Sequence, residues 1–188
     1  VAIEYLFPSV NTLVVSLVLL LIFLVINLLG VEIFGSIQLV IVLILMLGTA
    51  GLGVFGLLDI GTINPAIASE FNPFGWSTVF QALAMGLWLF IGIEYVIPLG
   101  DEVKRPEKTI PKAMICGLLT IFVVDMLFGF ALTRHMDLAT LSASATPQID
   151  GAIAIFGNMG GMIMSVLTLL AAVSTINASF AAVPRMFY

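Results

Sequence analysis

Three residues of one apolar stretch, Gly92, Glu94 and Pro98, have types and a spacing that could support chemistry. Glycine and proline in close succession favour an interrupted helix, and a carboxyl group beside the interruption can bind and release a proton. An interrupted helix also leaves backbone carbonyl groups without their N–H partners, and these oxygens can accept hydrogen bonds from a cationic group such as an ammonium. We therefore expect a binding site centred on residues 91–94.

Two aromatic residues, Trp88 and Phe90, precede the expected interruption. They could stack on a bound cation, with a contribution of about 0.5–2 kcal/mol, or they could pack between helices as most buried aromatic residues do. The sequence leaves both interpretations open. The candidate ligand-binding residues are Trp88, Phe90, Ile91, Gly92 and Glu94.

The composition places this site in an integral membrane protein. Hydrophobic residues make up 61% of the 188 residues and charged residues 9%, and the mean hydropathy is +1.23, far from the values of soluble domains. A net charge of −5 on so few ionisable groups does not indicate a nucleic-acid partner. We expect a single all-α transmembrane region, 1–188, of about five spans in the lipid bilayer. The expected spans are about 9–29, 37–58, 77–103 (broken near 91–94), 112–133 and 162–183.

Helix-breaking residues and small residues in the first half of the chain predict its turns, its loop and its closely packed helix. Asn27, Gly30, Gly35 and Ser36 predict a turn before the second span, and the stretch 59–76 predicts an interfacial loop. Glycines recur within the second span, where they favour close helix packing over a direct role in a permeation path. These glycines are Gly48, Gly51, Gly53 and Gly56.

A second acid, Asp125, falls within the fourth expected span. It could bind a proton, pair with a group on another helix, or stay neutral beside a hydroxyl group. The single cysteine, Cys116, and the single histidine, His135, exclude a disulfide framework and are poor material for a metal site. We expect no cofactor, no metal and no enzyme activity, because no nucleophile and base pair or metal-ligand set is present.

The basic residues predict the topology. Four of the six are in one loop, at Lys104, Arg105, Lys108 and Lys112. Because Lys and Arg are enriched in cytoplasmic loops, we expect the loop 101–112 to be cytoplasmic and the segment 134–161 to be outside.

The motif around the interruption resembles a known family. Residues 88–94 (WLFIGIE), followed by 102–106 (EVKRP) and 109–113 (TIPKA), are similar to the sixth helix and following loop of amino acid permeases of the amino acid, polyamine and organocation superfamily. Weaker similarities flank this motif at 27–38, 72–76, 146–157 and 174–188. The resemblance implies helices four to eight of a longer permease with two five-helix inverted repeats, the leucine-transporter-like fold. In that fold the broken first and sixth helices face each other, and this chain would hold only the sixth.

The resemblance also implies a function. We expect a secondary active, multi-pass permease of the cell membrane that moves amino acids or related amines by alternating access around Ile91–Glu94. Glu94, or Asp125, would couple transport to a proton. Ser174 and Thr175 resemble adjacent hydroxyl groups that bind sodium in some relatives, but membrane-helix hydroxyls usually bond to their own helix, so a proton is favoured over sodium. A channel lined by the acids and a non-transporting scaffold are the alternatives.

Overall fold

The computed structural model describes residues 2–6, 9–28, 31–58 and 75–187, without the side chains of residues 31–34. These residues form α-helices and one 3₁₀ helix, and no strand occurs among them. The elements in chain order are α1 (Ala2–Leu6), α2 (Thr12–Leu28), α3 (Val31–Leu58), α4 (Gly75–Trp88), the 3₁₀ helix (Ile93–Glu102), α5 (Pro106–His135), α6 (Leu138–Ala143) and α7 (Pro147–Arg185).

Four of the described segments are long and apolar enough to cross a bilayer. They are Gly35–Leu58, Gly75–Glu102, Pro106–His135 and Pro147–Arg185, and the shorter α2 is apolar as well. The second of them contains both α4 and the 3₁₀ helix, so one crossing is interrupted. The expected all-α membrane fold with a broken third span is confirmed, and the protein is a multi-pass membrane protein.

The starts of α3, α5 and α7 differ from the expected span boundaries. α7 begins at Pro147, whereas the fifth span is expected from about 162. Asn27, expected in the turn before the second span, lies within α2.

α3 begins at Val31, so Gly35 and Ser36 are helical and not part of a turn. Helix packing overrides the weak local preference of these small residues. α5 begins at Pro106, where a proline removes no intrahelical bond, and Pro111 follows early in the same helix. Most of the expected interfacial loop, residues 59–74, lies outside the described residues.

α3 packs against both α5 and α7, and its glycines permit this approach. A Cβ atom on Gly53 would lie 2.8 Å from the backbone nitrogen of Phe128 in α5. A Cβ atom on Gly51 would meet nothing within 4 Å. Close contacts also surround Gly48, which faces Leu167 of α7, and Gly56. Three of the four glycines therefore serve helix packing, which in lipid depends on such close approach.

Two apolar clusters hold the helices together. One contains Leu52, Phe128, Ile149, Ala152, Met164 and Leu167, and joins α3, α5 and α7. The other contains Phe23, Ile41 and Val173, and joins α2 and α3 to α7. α7 contributes to both clusters and is the central helix of the described chain.

The segment expected outside the membrane is largely helical. Asp137 caps α6, because its carboxylate accepts hydrogen bonds from the backbone N–H and the hydroxyl group of Thr140, each at 2.7 Å. These bonds lower the pKa of Asp137 below its ordinary value. α7 is kinked at Gly157, where φ is 62° and ψ is −155°. The kink separates residues 147–156 from the rest of α7.

Candidate functional site

The interruption of the third span has a defined backbone geometry. α4 ends at Trp88, and three turn bonds follow it: Leu89 N–H donates to Gly86, Phe90 N–H to Leu87 and Ile91 N–H to Trp88, at 3.1–3.3 Å. Gly92 then adopts φ 104° and ψ −11°, in the left-handed region. The 3₁₀ helix begins at Ile93. Glycine is needed at residue 92 because a side chain is strained at such a φ.

The turn leaves three carbonyl groups free. No backbone N–H of the described residues donates to the carbonyl oxygens of Leu89, Phe90 or Ile91, whereas the Gly92 carbonyl accepts from Tyr95 at 3.1 Å. Free carbonyls at the end of a half-helix carry partial negative charge, which favours a cation.

The Glu94 side chain forms a hydrogen bond with the backbone at the interruption. Its Oε2 atom accepts a hydrogen bond from the backbone N–H of Gly92 at 2.9 Å, and the side chain is exposed. The carboxylate thus satisfies a donor that the helix no longer uses. Glu94 and Gly92 together fix the shape of the break.

An open cavity of about 820 Å³ lies beside the break, between α3, α5 and α7. Its size is within the range of small-molecule sites. Most of its lining is apolar. The lining residues are Gly35, Gln38, Leu39, Val42, Leu89, Phe90, Ile91, Gly92, Ile93, Tyr95, Val96, Ala113, Met114, Gly117, Leu118, Ile121, Ser174, Thr175 and Ala178.

The structure brings together some of the predicted site residues. Phe90, Ile91 and Gly92 line the cavity from the break, and Ser174 and Thr175 line it from α7. Residues of the interrupted span and the paired hydroxyl groups, far apart in sequence, therefore share one cavity.

Three other predicted residues lie outside the cavity lining. The Trp88 side chain is 74% exposed, and the Glu94 side chain is bonded to the break and is also exposed. Asp125 is exposed on α5, one helical turn beyond the lining residue Ile121. Their predicted roles stay predictions.

The sequence interpretation missed a set of hydrogen-bonded amide side chains at the cavity wall and behind it. Asn27, Gln38 and Asn177 connect α2, α3 and α7 by side-chain hydrogen bonds of 2.9 Å. Asn177 is completely buried. The signal was available, because an amide inside a membrane span needs a hydrogen-bond partner.

Comparison with known families gives a match that covers the whole chain. The model of the family described as amino acid permease matches residues 1–188. The chain belongs to the amino acid permease family. This assignment accounts for the broken third span, since broken helices carry the ligand sites in transporters with inverted repeats.

Individual relatives of this chain are named as transporters or exchangers. The serine/threonine exchanger SteT of Bacillus subtilis (strain 168) is 28% identical over 183 residues, which are 93% of this chain and 40% of the relative. The D-serine/D-alanine/glycine transporter of Escherichia coli (strain K12) is 25% identical over 201 residues, covering 98% of this chain and 42% of the relative. The uncharacterised transporter YdgF of Bacillus subtilis (strain 168) is 29% identical, with 98% and 43% covered.

The chain spans less than half the length of these relatives. Comparison with solved structures finds no significant match. The family and two of these relatives are named for amino acids, and the relatives are named as transporters or exchangers.

Proposed function

We propose that the protein is a secondary active permease that binds the ammonium group of an amino acid or related amine at the break. The observation that supports this most directly is the set of free carbonyl groups of Leu89, Phe90 and Ile91, residues that line the cavity. Carbonyl oxygens at a half-helix end attract a cation. Every amino acid carries an ammonium group, so this contact would serve the whole substrate class.

Small neutral amino acids are the proposed substrates. Two relatives are named for serine, threonine, alanine and glycine. None of the described residues that line the cavity is charged, so the lining offers no charged partner for a charged substrate side chain. Phe90 lines it and would close over the substrate, and Trp88 would contact the substrate only after a change in the break.

Alternating access would use the break as a hinge. The 3₁₀ helix contacts α5 and α7, whereas α4 makes no comparable contact with another described helix. The two halves of the span are thus supported differently, and Gly92 between them tolerates backbone angles that other residues do not. Rotation at this point would open the cavity to one side and then to the other.

Glu94 is the proposed proton-coupling group. Its bond to the Gly92 N–H depends on the proton, because an ionised carboxylate accepts such bonds more strongly than a carboxylic acid does. Uptake of a proton would therefore weaken this bond and loosen the break, and its release would restore the bond. Asp125 is the second candidate.

The substitution Glu94→Gln tests this proposal in the full-length protein reconstituted in liposomes. Glutamine resembles the protonated acid, so we expect substrate binding and counterflow to persist while uptake driven by a pH gradient is lost. Glu107→Gln is the matched control, since Glu107 is an exposed carboxylate outside the cavity. If Glu94→Gln still accumulates substrate in response to a pH gradient, another group couples transport to the proton. Absence of counterflow, with unsaturable flux in the unsubstituted protein, would indicate a channel.

The proposed topology places the loop 101–112 in the cytoplasm. Single cysteines at Lys108 and Ala143, both exposed, in a Cys116→Ser background test it. An impermeant thiol reagent applied to intact cells should label the cysteine at residue 143 and leave the one at residue 108 unmodified. The opposite labelling would invert the topology.

A further inference from the structure

A chain of side-chain hydrogen bonds leads from α2 to the wall of the cavity. The amide nitrogen of Asn27 donates to Oδ1 of Asn177 at 2.9 Å, and the amide nitrogen of Asn177 donates to Oε1 of Gln38 at 2.9 Å. The amide nitrogen of Gln38 then donates to the hydroxyl oxygen of Ser174 at 2.7 Å. Gln38 and Ser174 line the cavity, whereas Asn27 and Asn177 lie behind it.

The direction of this chain is fixed at its far end. Asn27 Nδ2 also donates to the backbone carbonyl of Phe23 at 2.9 Å. A carbonyl oxygen can only accept, so the nitrogen of the Asn27 amide must occupy this side. Asn177 must then present its oxygen to Asn27 and its nitrogen to Gln38. By the same reasoning Gln38 donates to Ser174, and every bond of the chain has the same direction.

As a consequence, the hydroxyl proton of Ser174 has no acceptor among the described residues. The oxygen of this hydroxyl group accepts from Gln38. Three other hydroxyl groups of α7 differ, because Thr168, Thr175 and Ser179 each donate to the carbonyl group four residues earlier. Ser165 has no hydrogen-bond partner among the described residues, but it is completely buried and lies outside the cavity lining. Ser174 is therefore a donor at the cavity wall.

We propose that Ser174 is a substrate-binding residue, whose hydroxyl group donates a hydrogen bond to an oxygen of the substrate. This inference rests on the proposed function, since the substrate is an amino acid bound in this cavity. The substrate's ammonium group cannot accept a hydrogen bond because its nitrogen has no lone pair. The accepting oxygen therefore belongs to the substrate carboxylate or to a hydroxyl group of the substrate side chain. Gln38, Asn177 and Asn27 are positioning residues, which hold the serine in its donor orientation.

The same arrangement disfavours a sodium ion at Ser174. A cation binds through the lone pairs of a hydroxyl oxygen, and Gln38 already occupies one lone pair of Ser174. The hydroxyl group of Thr175 donates to the Ala171 carbonyl at 3.0 Å and keeps its lone pairs, so Ser174 alone is disfavoured as a sodium ligand in this way. Substrate binding should accordingly be the same in sodium chloride and in choline chloride.

Ser174→Ala in the full-length protein tests the donor, with binding of alanine and of serine measured in detergent solution. If the acceptor is the carboxylate, both affinities fall by more than about tenfold, as expected for a bond to a charged group. If it is the side-chain hydroxyl, the affinity for serine falls by about threefold to tenfold and that for alanine is unchanged. Ser179→Ala is the matched control, because its hydroxyl group is bonded within α7 and lies outside the cavity.

Gln38→Glu tests the orientation while keeping Ser174. A carboxylate only accepts, so the serine proton would turn towards it and away from the substrate. At pH 8 we expect the same loss of affinity as for Ser174→Ala, with recovery as lower pH protonates the introduced carboxyl group and restores a donor.

Three results would overturn the inference: unchanged binding of both amino acids by Ser174→Ala, unchanged binding by Gln38→Glu at pH 8, or sodium-stimulated binding that Ser174→Ala abolishes. Absence of amino acid binding by the unsubstituted protein would instead count against the proposed function. Normal binding by the unsubstituted protein and by Ser174→Ala alike removes only the role of Ser174.

Discussion

α7 and the broken span, Gly75–Glu102, are both apolar helical segments, yet they are held in different ways. Twelve residues of α7 are buried, whereas no residue of α4 or of the 3₁₀ helix is buried. Small residues let α7 approach its neighbours, with Ala152, Ala181 and Ala182 essentially inaccessible. The geometry of α7 is therefore set by packing, which in lipid requires such close contact.

The broken span is shaped by its own backbone. Gly92 supplies the left-handed turn, the Glu94 carboxylate accepts the freed N–H group, and Pro98 lies within the 3₁₀ helix. Its main polar link to α7 is the ion pair between Glu102 and Arg185, at 2.8 Å. A helix supported by local geometry can change shape without disturbing a packed core, which is what a moving binding element requires. The following predictions test this difference.

Asn177→Leu should have the largest effect, and it should act on stability. The substitution leaves the amide groups of Asn27 and Gln38 without their shared partner, at a cost of about 1–3 kcal/mol each. We expect the free energy of unfolding, measured by denaturant titration in detergent micelles, to fall by about 2–6 kcal/mol. Asn158→Leu, an exposed asparagine of the same helix, should change it by less than about 0.5 kcal/mol. Equal effects would mean that the amide chain contributes no stability.

Gly53→Val should have the next largest effect, again on stability. The added side chain would meet the backbone of α5 at Phe128, which cannot move aside as a flexible side chain can. We expect a loss of about 1–3 kcal/mol in the same titration. Gly51→Val is the control in the same helix, since a Cβ atom there meets nothing within 4 Å. A larger loss at residue 51 than at residue 53 would contradict the described packing of α3 on α5.

Gly92→Ala should impair binding more than stability. A side chain at φ 104° strains the break by about 1–2 kcal/mol, and we expect substrate affinity to fall by about fivefold to thirtyfold. Gly86→Ala, in the regular part of α4, should leave affinity within about twofold, because nothing lies within 4 Å of its Cβ position. Unchanged affinity in Gly92→Ala would show that the left-handed turn is not needed for binding.

Removing the ion pair between α7 and the 3₁₀ helix should have the smallest effect. Arg185 and Glu102 are each about one-third exposed, so water and salt screen their attraction. A double-mutant cycle with Arg185→Gln and Glu102→Gln should give a coupling energy below about 1 kcal/mol that decreases in concentrated salt. A coupling energy well above that value, or one insensitive to salt, would mean that the ion pair holds the 3₁₀ helix firmly on α7. The difference between α7 and the broken span would then be smaller than described.

The break and the membrane setting could be predicted because their signals are local. Gly92, Glu94 and Pro98 are adjacent in sequence, and each acts on the backbone within a few residues of itself. The family motif around them carries the same information. The role of Asn177, by contrast, could not be predicted, since its partners are 139 and 150 residues away.

Which of the predicted side chains line the cavity could not be predicted from the sequence either. Trp88 and Phe90 are equivalent by residue type, but Phe90 lines the cavity and Trp88 does not, because the turn after Trp88 changes the direction of the backbone. Asp125 belongs to the same helix as five lining residues but lies one turn beyond them. Such differences depend on the course of the backbone and on how far the cavity extends along each helix, and both are set by packing.

The sequence by itself determined that this is a helical membrane protein with one helix interrupted at Gly92, because hydropathy, glycine and proline act locally on the backbone. Tertiary structure alone decided that the break, Gln38 and Ser174 meet at one cavity. That meeting depends on the contacts of α3 with α7, where glycines and buried amides bring distant segments together, and no local preference encodes it.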